Sequence, residues 1–595
     1  MLNIMKKANA MLNKVFTGLS VALLAVVIVA TALQVFTRYI MNASLSGTDE
    51  VARFAFVWMS MMGASLCVRN HGHAVVSVLN DSLKNKPKAQ AIHSVAVQIL
   101  IMIGAAVLVV CGIQLVMATG EQSSAGLGIP ISYTYACIPV GGAGMVINSF
   151  VNILEEISCR KGGRCFMSLT YALIIFAILL ILIFFGVPIA YSIELSVVAL
   201  LVITHLKPLI LIPQKLEIGM DTFVYLAIPL FTLAGYLMEQ GGLSDRLVDC
   251  VEKLFGWFPG SMGTITIICC LFFASLTGSG PATVAAIGAI MVPTMLKNGY
   301  SRREAAGLLA AGGALGPIIP PSIAMIVYAT TMGLSVPEMF MAALLPGILL
   351  GAAFIVTNTV LVVRKGMKGE RPHFTAKELG RSIWRALGVI FLPILVLGGI
   401  YGGIFTPTEA ATIAAVYALI LGLAYRELNL GKIITAMKKT VTTSAMVIFI
   451  VGISNAFGTV LAAANIPKTI ASVIIPYLNS RVVYLLLLMV LLFLVGCVME
   501  TVSSIVILAP ILVPIGISMG INEMHLGILF SICLIVGFIT PPFGLNLFTS
   551  AATSAVSFQE VVKGVLPYLA AALAVVVLIA FIPQISLALP ELLGY

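Results

Sequence analysis

The chain has 595 residues, of which 60% are hydrophobic and 9% are charged, and its mean hydropathy is +1.12. This composition argues against a soluble enzyme and predicts an all-α membrane protein that crosses the bilayer many times. The net charge of +10 does not indicate nucleic-acid binding, because the cations gather in short stretches between apolar runs, which is the positive-inside pattern of membrane proteins.

A scaffold module of four membrane helices is predicted for residues 1–157. Its apolar runs lie at about 15–38, 51–68, 92–116 and 132–156, close to the roughly 20 residues that a crossing helix needs. The mixed polar and apolar stretch 74–88 is expected to form an interfacial helix. A basic linker, 158–166, follows the module.

A transport module is predicted for residues 167–595, built from two repeats at about 167–363 and 386–588. Two of its apolar runs, 258–296 and 481–518, are split near the middle by polar residues. We expect each to form a re-entrant helical hairpin, because irregular backbone survives at membrane depth only where protein buries it or water lines it.

Two further runs of the transport module predict broken helices. The run 303–330 is interrupted at 316–322, and the run 525–550 is interrupted at 537–543. Positions in the two runs correspond at an offset of 221 residues, as Gly316 and Gly537 illustrate. Interrupted segments at corresponding positions of two half-repeats indicate a transporter binding site near the bilayer midplane.

The cations around the hairpins predict that the two repeats are inverted relative to each other. Lys253, Lys297, Arg302 and Arg303 flank the first hairpin and place its mouth in the cytoplasm. Few cations flank the second hairpin, so its mouth is expected outside. The basic linker places Met167 inside, whereas strict inversion places it outside, and the sequence leaves this open.

The broken helices predict two sites for a monovalent cation such as sodium. Proline has no amide hydrogen, so the Pro-Pro pairs leave carbonyl groups without their usual donors, and glycine permits the unusual backbone angles. Unpaired carbonyls in a membrane would cost several kcal/mol each. Each hairpin tip can complete a cage, with Ser275 in the first and Gly496 in the second. The alternative is a pair of proline kinks that serve packing.

Polar residues around the same positions are candidates for binding an anionic substrate. Helix ends at the tips would direct amide groups towards a carboxylate. Small polar residues in membrane helices also serve to hold helices together. The candidates are Ser279, Gly280, Thr283, Ser322, Thr501, Ser503, Ser504 and Asn546.

Two glutamates in the transport module have different interpretations. Glu500 lies within an apolar run, where a carboxyl group is costly, so it is expected to be functional by neutralising a cation or accepting from substrate hydroxyls. The alternative is a protonated or paired structural group. Glu409 follows Thr406 by three residues, so we expect it to cap a helix at its N-terminus.

Several motifs resemble the membrane subunits of tripartite ATP-independent periplasmic (TRAP) transporters. Asp49-Glu-Val-Ala-Arg53 and Arg69-Asn-His-Gly-His73 resemble the small subunit. The motifs that resemble the large subunit are Gly186-Val-Pro-Ile-Ala190, Ile228-Pro-Leu-Phe231, Gly278-Ser-Gly-Pro-Ala-Thr283, Gly316-Pro-Ile-Ile-Pro-Pro-Ser322, Phe405-Thr-Pro-Thr-Glu409 and Gly537-Phe-Ile-Thr-Pro-Pro542. Together they cover nearly the whole chain.

The resemblance implies a fused permease of the bacterial inner membrane. A periplasmic substrate-binding protein would deliver an organic acid, sodium would drive uptake, and the transport module would move as an elevator against the scaffold. A fused chain resembles the sialic acid transporters of the family and is expected to be monomeric. The sodium ligands implied are Ser275, Gly316, Ile319 and Pro321 for one site and Gly496, Gly537, Thr540 and Phe543 for the other.

Other classes of transporter fit the sequence less well. A C4-dicarboxylate or other carboxylate substrate is the alternative within the resemblance. A sodium/carboxylate carrier that works without a binding protein would share the hairpins, but the scaffold module argues against it. A channel suits the paired Pro-Pro breaks poorly. ATP-driven transport lacks the Gly-rich phosphate-binding loop motif.

Overall fold

The computed structural model describes the chain apart from a set of short gaps. The residues outside it are 1, 40, 42–46, 71–72, 74–86, 158–170, 205, 257–259, 367–374, 465–479, 542–543 and 595. Among the described residues, twelve helices are long and apolar enough to cross a membrane. The predicted all-α membrane fold is confirmed. The predicted interfacial helix at 74–88 and the basic linker fall almost wholly outside the described residues.

The chain folds into two compact units. Unit 1 comprises Met1–Pro229 and Met437–Val473, and unit 2 comprises Leu230–Ala436 and Ile474–Tyr595. Both predicted hairpins and both predicted broken helices therefore lie in unit 2. The division follows packing and does not test the predicted repeat boundaries, which stay predictions.

Unit 1 contains the helices of the first part of the chain and one long helix from its second half. In chain order they are α1 (Leu2–Tyr39), α2 (Thr48–Arg69), α3 (Pro87–Ala118), α4 (Ser132–Tyr135), α5 (Cys137–Ile157), α6 (Tyr171–Phe184), α7 (Ile189–Thr204), α8 (Leu211–Met220) and most of α18 (Leu430–Ala463). Small residues let these helices approach closely. A methyl group added at Gly219 would lie 3.0 Å from the Cα atom of Gly452.

Unit 2 contains the remaining helices. They are α9 (Ala227–Gln240), α10 (Leu243–Phe255), α11 (Ser261–Thr277), α12 (Gly280–Lys297), α13 (Arg302–Gly313), α14 (Ile323–Met332), α15 (Val336–Arg364), α16 (Ala376–Tyr401), α17 (Pro407–Ala424), α19 (Arg481–Val498), α20 (Thr501–Ser518), α21 (Glu523–Gly537), α22 (Leu545–Ser554), α23 (Phe558–Phe581) and α24 (Gln584–Leu592). The helix α10, with charged residues on one side, was not among the predicted elements.

Local capping explains where several of these helices begin. Ser301, Thr375 and Thr406 each accept from the backbone three residues on, and the glutamate at that position bonds back to the cap. The predicted capping role of Glu409 is confirmed, since its carboxylate accepts from the Thr406 amide at 2.8 Å. The motif therefore starts α17 without requiring a catalytic or binding role for Glu409.

Both split runs form helical hairpins. The helices α11 and α12 pack against each other around a turn at Gly278 and Ser279, and their outer ends meet where the Tyr300 hydroxyl donates to the Gly260 carbonyl at 3.2 Å. The helices α19 and α20 meet in the same way at Arg481, whose Nε donates to the Met519 carbonyl at 2.6 Å. That each hairpin enters the bilayer from one side stays a prediction.

Both broken helices are present. The first ends at Gly313 and resumes at Ile323, and the second ends at Gly537 and resumes at Leu545. The breaks come within two or three residues of the predicted limits. A helix break of this length leaves backbone groups that must find partners inside the protein.

Candidate functional site

The first break lies against the tip of the first hairpin, and glycine makes the contact possible. A methyl group added at Gly316 would lie 2.7 Å from the carbonyl oxygen of Ser279 and 3.0 Å from the amide nitrogen of Gly280. A methyl group at Gly278 would lie 3.3 Å from the carbonyl oxygen of Pro321. The tip and the break therefore touch through backbone atoms, as the sequence predicted for a shared cage.

The second break makes the equivalent contact with its own hairpin. A methyl group added at Gly537 would lie 2.6 Å from the Cα atom of Gly496 and 2.8 Å from the amide nitrogen of Cys497. The Cys497 thiol also donates to the Pro541 carbonyl at 3.7 Å. Gly496 and Gly537, both named from the sequence, are thus brought together.

Carbonyl groups at corresponding positions of the two breaks find different partners. The Ser322 hydroxyl donates to the carbonyl of Pro317. At the position 221 residues later, the carbonyl of Phe538 accepts from the backbone amide of Asn546 at 3.1 Å. Gly316 precedes Pro320 by four residues, so its carbonyl has no helical amide donor. The breaks therefore present carbonyl oxygens, the ligand type that hard cations prefer.

Two hydroxyl groups predicted as cation ligands are oriented by their own helices. The Ser275 hydroxyl is buried and donates to the Phe272 carbonyl at 2.7 Å. The Thr540 hydroxyl donates to the Val536 carbonyl at 2.8 Å. Because the hydroxyl proton points into the helix, the oxygen lone pairs face outward and can accept from or bind a ligand.

The other predicted cation ligands are placed less completely. Ile319 is 5% exposed and lies within the first break. Pro321 follows it and approaches the first tip through its carbonyl group. Phe543 lies outside the described residues, so its predicted role stays a prediction.

Asn546 links the second broken helix to the first hairpin. Its amide nitrogen donates to the Ala310 carbonyl at 3.3 Å, and its side chain is fully buried. Its Oδ1 atom has no hydrogen-bond partner within the described part of the chain. A methyl group added at Gly280 would lie 2.8 Å from that oxygen. An unpaired buried acceptor at a hairpin tip is expected to meet a ligand.

Glu500 begins the inner helix of the second hairpin. Its carboxylate accepts from the Ser503 amide at 3.2 Å and from the Ser503 hydroxyl at 3.5 Å, so it is the N-cap of α20. The Ser504 hydroxyl donates to the Glu500 carbonyl at 2.9 Å. The Thr501 hydroxyl is buried without a partner among the described residues. Capping gives Glu500 a structural role that the sequence reasoning did not consider.

Two of the predicted substrate-binding hydroxyls are engaged inside their own helices. Ser322 donates to the Pro317 carbonyl and accepts from the Met325 amide at 3.4 Å, which makes it the N-cap of α14. Thr283 donates to the Ser279 carbonyl at 2.8 Å. These contacts hold the tip and the break in shape, whichever further role the hydroxyls have.

Sequence reasoning missed three glycines at the contacts. Gly278 has a left-handed backbone, with φ of 58°, and ends α11. Gly313 approaches the Asn546 amide, since an added methyl group would lie 3.0 Å from its Nδ2 atom. At Gly544 an added methyl group would lie 3.0 Å from the Thr540 carbonyl oxygen. Their adjacency to the predicted tips and breaks was the available signal.

Helix N-termini converge on these contacts. The helices α12 and α14 both begin at the first tip and break, and a methyl group on Gly278 would lie 3.4 Å from the Ile323 amide nitrogen. The helices α20 and α22 begin at the second. Free amide groups and helix dipoles at such ends favour negatively charged ligands.

Comparison with protein families decides the identity. The family described as "Tripartite ATP-independent periplasmic transporter, DctM component" matches residues 176–585. The family described as "Tripartite ATP-independent periplasmic transporters, DctQ component" matches residues 27–159. The chain belongs to the TRAP transporter permeases. It is therefore a transporter and not an enzyme, and it is a multi-pass protein of the inner membrane.

Curated relatives include fused and separate permeases. The isethionate TRAP transporter permease of Oleidesulfovibrio alaskensis is 33% identical over 91% of this chain and 88% of its own length. The sialic acid TRAP transporter permease of Haemophilus influenzae is 27% identical over 94% and 96%. The C4-dicarboxylate large permease of Rhodobacter capsulatus is 35% identical over 71% of this chain and 99% of its own length.

Family membership confirms the coarse functional prediction. TRAP permeases work with a periplasmic substrate-binding protein and transport organic acids. The predicted resemblance to fused small and large subunits is also confirmed, because both families match within one chain.

Proposed function

We propose that this TRAP permease imports an organic acid together with sodium ions, one at each contact between a hairpin tip and a helix break. The observation that carries the proposal is the duplicated contact, in which Gly316 meets Ser279 and Gly537 meets Gly496. Each contact combines exposed carbonyl oxygens with an oriented hydroxyl group, Ser275 or Thr540. Such oxygen-rich sites suit a hard monovalent cation better than a soft metal.

The anionic substrate is proposed to bind between the two contacts. Four helix N-termini in unit 2 begin at these contacts and favour an anion. Asn546 offers a buried acceptor that a hydroxyl or a protonated group of the substrate would satisfy. Binding of sodium and binding of the acid would assist each other, since opposite charges share a site of low dielectric constant.

Similarity favours a small organic acid as the first substrate to test. The fused relative named for isethionate is 33% identical, whereas the fused relative named for sialic acid is 27% identical. Isethionate, a C4-dicarboxylate and sialic acid, the substrate that the sequence suggested, therefore form the test panel. The binding protein is expected to set much of the selectivity.

Alternating access is proposed to occur by movement of unit 2. Both hairpins and both breaks belong to this compact unit, which supports carrying the substrate as one body, in the manner of an elevator. A fused chain needs no second copy of itself to provide a scaffold module, so we propose a monomer.

Uptake into proteoliposomes tests the proposal. The permease, its binding protein and a labelled acid are combined with an inward sodium gradient, and a potassium gradient serves as control. We expect Ser275→Ala and Thr540→Ala each to reduce the steepness of the sodium dependence. Thr357→Ala is the matched control, because Thr357 makes the same bond to its own helix, to the Ala353 carbonyl at 2.8 Å, far from either break in sequence. Uptake indifferent to sodium would refute the coupling.

Omitting the binding protein separates the proposal from a carrier that acts alone. We expect uptake to fall to background without it, at every acid concentration in the micromolar range. Strong uptake of the acid without the binding protein would show instead a direct sodium/carboxylate carrier.

A further inference from the structure

The first turns of α16 carry a row of cations on one exposed face. Lys377, Arg381 and Arg385 follow one another at intervals of four residues, and all three side chains are exposed. Residues at this spacing lie on the same side of a helix. Trp384 is 77% exposed and lies on the same side. We call these four residues the basic face.

Further along α16 the exposed surface becomes apolar. Leu387 is 50% exposed, Phe391 46% and Ile394 61%. They lie in a span, Lys377–Tyr401, that is long and apolar enough to cross a membrane. The order of cations, then an indole ring, then aliphatic and phenyl groups follows the order of headgroup, interface and acyl chains in a lipid leaflet.

Contacts on the opposite side of α16 fix the direction of the basic face. Ser382 is buried and donates to the carboxylate of Asp249 on α10. The Tyr425 hydroxyl donates to the carbonyl of Arg385 at 3.2 Å. Because this side of the helix is held by α10 and the end of α17, the cations point away from unit 2.

The nearby acids already have partners. Burial raises the pKa of Asp249, but hydrogen bonds from Lys253 and Ser382 outweigh it, so this pKa lies below its usual value. The Lys253 ammonium lies 2.7 Å from the Asp249 carboxylate. Glu378 accepts from the amide and hydroxyl of Thr375 at 2.8 and 3.0 Å, which uses its carboxylate as part of the helix cap. The basic face therefore keeps a positive potential.

We propose that the basic face binds the phosphate headgroup of an anionic phospholipid, with Arg381 and Arg385 on the phosphate and Trp384 at the glycerol level. Guanidinium groups match phosphate oxygens in paired hydrogen bonds. The apolar surface below supplies the place for the acyl chains, which a nucleic acid or an acidic protein would leave exposed. The basic residues between α15 and α16 are expected on the cytoplasmic side, where anionic lipids attract such segments.

Lipid retention by the full chain tests the assignment. The protein is purified in mild detergent, and phosphatidylglycerol or phosphatidylcholine is titrated in while bound lipid is counted by native mass spectrometry and melting temperature is followed. We expect Arg381→Gln/Arg385→Gln to weaken phosphatidylglycerol binding by about fivefold for each cation removed. Phosphatidylcholine binding is expected to stay the same.

Two further variants make the result specific. Lys297→Gln/Arg364→Gln removes two exposed cations from other helices of unit 2 and is expected to leave phosphatidylglycerol binding within twofold of the wild type. Arg381→Lys/Arg385→Lys keeps the charges and is expected to keep most of the binding, which separates loss of charge from misfolding. Equal losses in the two glutamine pairs, or equal stabilisation by inorganic phosphate, would overturn the proposal.

Discussion

Glycine residues determine how closely the hairpin tips approach the helix breaks. At Gly316 and at Gly537 an added methyl group would come within 3.0 Å of backbone atoms of the opposing tip. Backbone atoms cannot move aside as the end of a flexible side chain can. The contact therefore depends on the absence of a single carbon atom at each position.

Gly316→Ala is predicted to open the first contact. The methyl group would overlap the Ser279 carbonyl, and overpacking of this kind costs about 1–3 kcal/mol, so the tip would be displaced from the break. We expect the sodium concentration for half-maximal uptake to rise by about tenfold or more. Gly398→Ala is the control, because nothing lies within 4 Å of a methyl group there. Unchanged sodium dependence in Gly316→Ala would contradict the role of this contact.

Asn546 allows binding to be separated from packing. Asn546 and Ser550 both lie on α22 and both donate to carbonyls of α13, at 3.3 Å to Ala310 and 2.7 Å to Ala306. Each alanine variant should therefore lose a similar stability, about 1 kcal/mol. Only Asn546→Ala is predicted to reduce sodium-driven uptake, because only Asn546 approaches the Gly280 tip. Matching uptake defects in the two variants would mean that both residues only pack helices.

At the scale of elements, each hairpin and each break is a helix end that needs a cap. Ser322 caps α14, and Glu500 caps α20. The two caps stand at related places in the two repeats but differ in charge, so the second contact gains a carboxylate that the first lacks. The repeats are alike in backbone geometry and unlike in electrostatics.

Glu500→Gln tests whether that charge matters. A glutamine oxygen can accept from the Ser503 amide, so the cap is kept and the melting temperature is expected to change little. Loss of the negative charge is predicted to raise the sodium concentration for half-maximal uptake several-fold. Glu560→Gln, in the exposed capping box of α23, provides the control. If Glu500→Gln behaves like the control, the carboxylate is only a cap.

At the scale of the whole molecule, packing groups residues that are distant in sequence. Residues from α18 belong to the same compact unit as the first eight helices, whereas both hairpins and both breaks belong to the other. One unit therefore holds every described residue of the candidate site. This arrangement suits a transport mechanism in which the site moves as a body.

Labelling from the two sides of the membrane tests the predicted inversion of the repeats. Lys297 ends the first hairpin and Ser518 ends the second, and both are exposed. In a chain with Cys159 and Cys165 replaced by serine, Lys297→Cys is predicted to react with an impermeant thiol reagent only from the cytoplasm. Ser518→Cys is predicted to react only from the periplasm. The native cysteines of the described residues are buried. Labelling of both from one side would contradict inversion.

The sequence by itself determined the membrane class, the hairpins, the breaks and the family. Long apolar runs, glycine and proline positions and the offset of 221 residues are local or periodic signals, and they depend little on how distant segments pack. The capping role of Glu409 was found in the same way, because a cap involves only neighbouring residues.

Only the tertiary structure decided which atoms meet. The contact between Gly278 and Pro321, the approach of Asn546 to Gly280, and the grouping of α18 with the first helices join segments far apart in the chain. The sequence could not rank the hydroxyl candidates either, because whether Ser322 faces a ligand or its own break depends on where its proton is donated. Such contacts follow from the packing of whole helices, which no local pattern records.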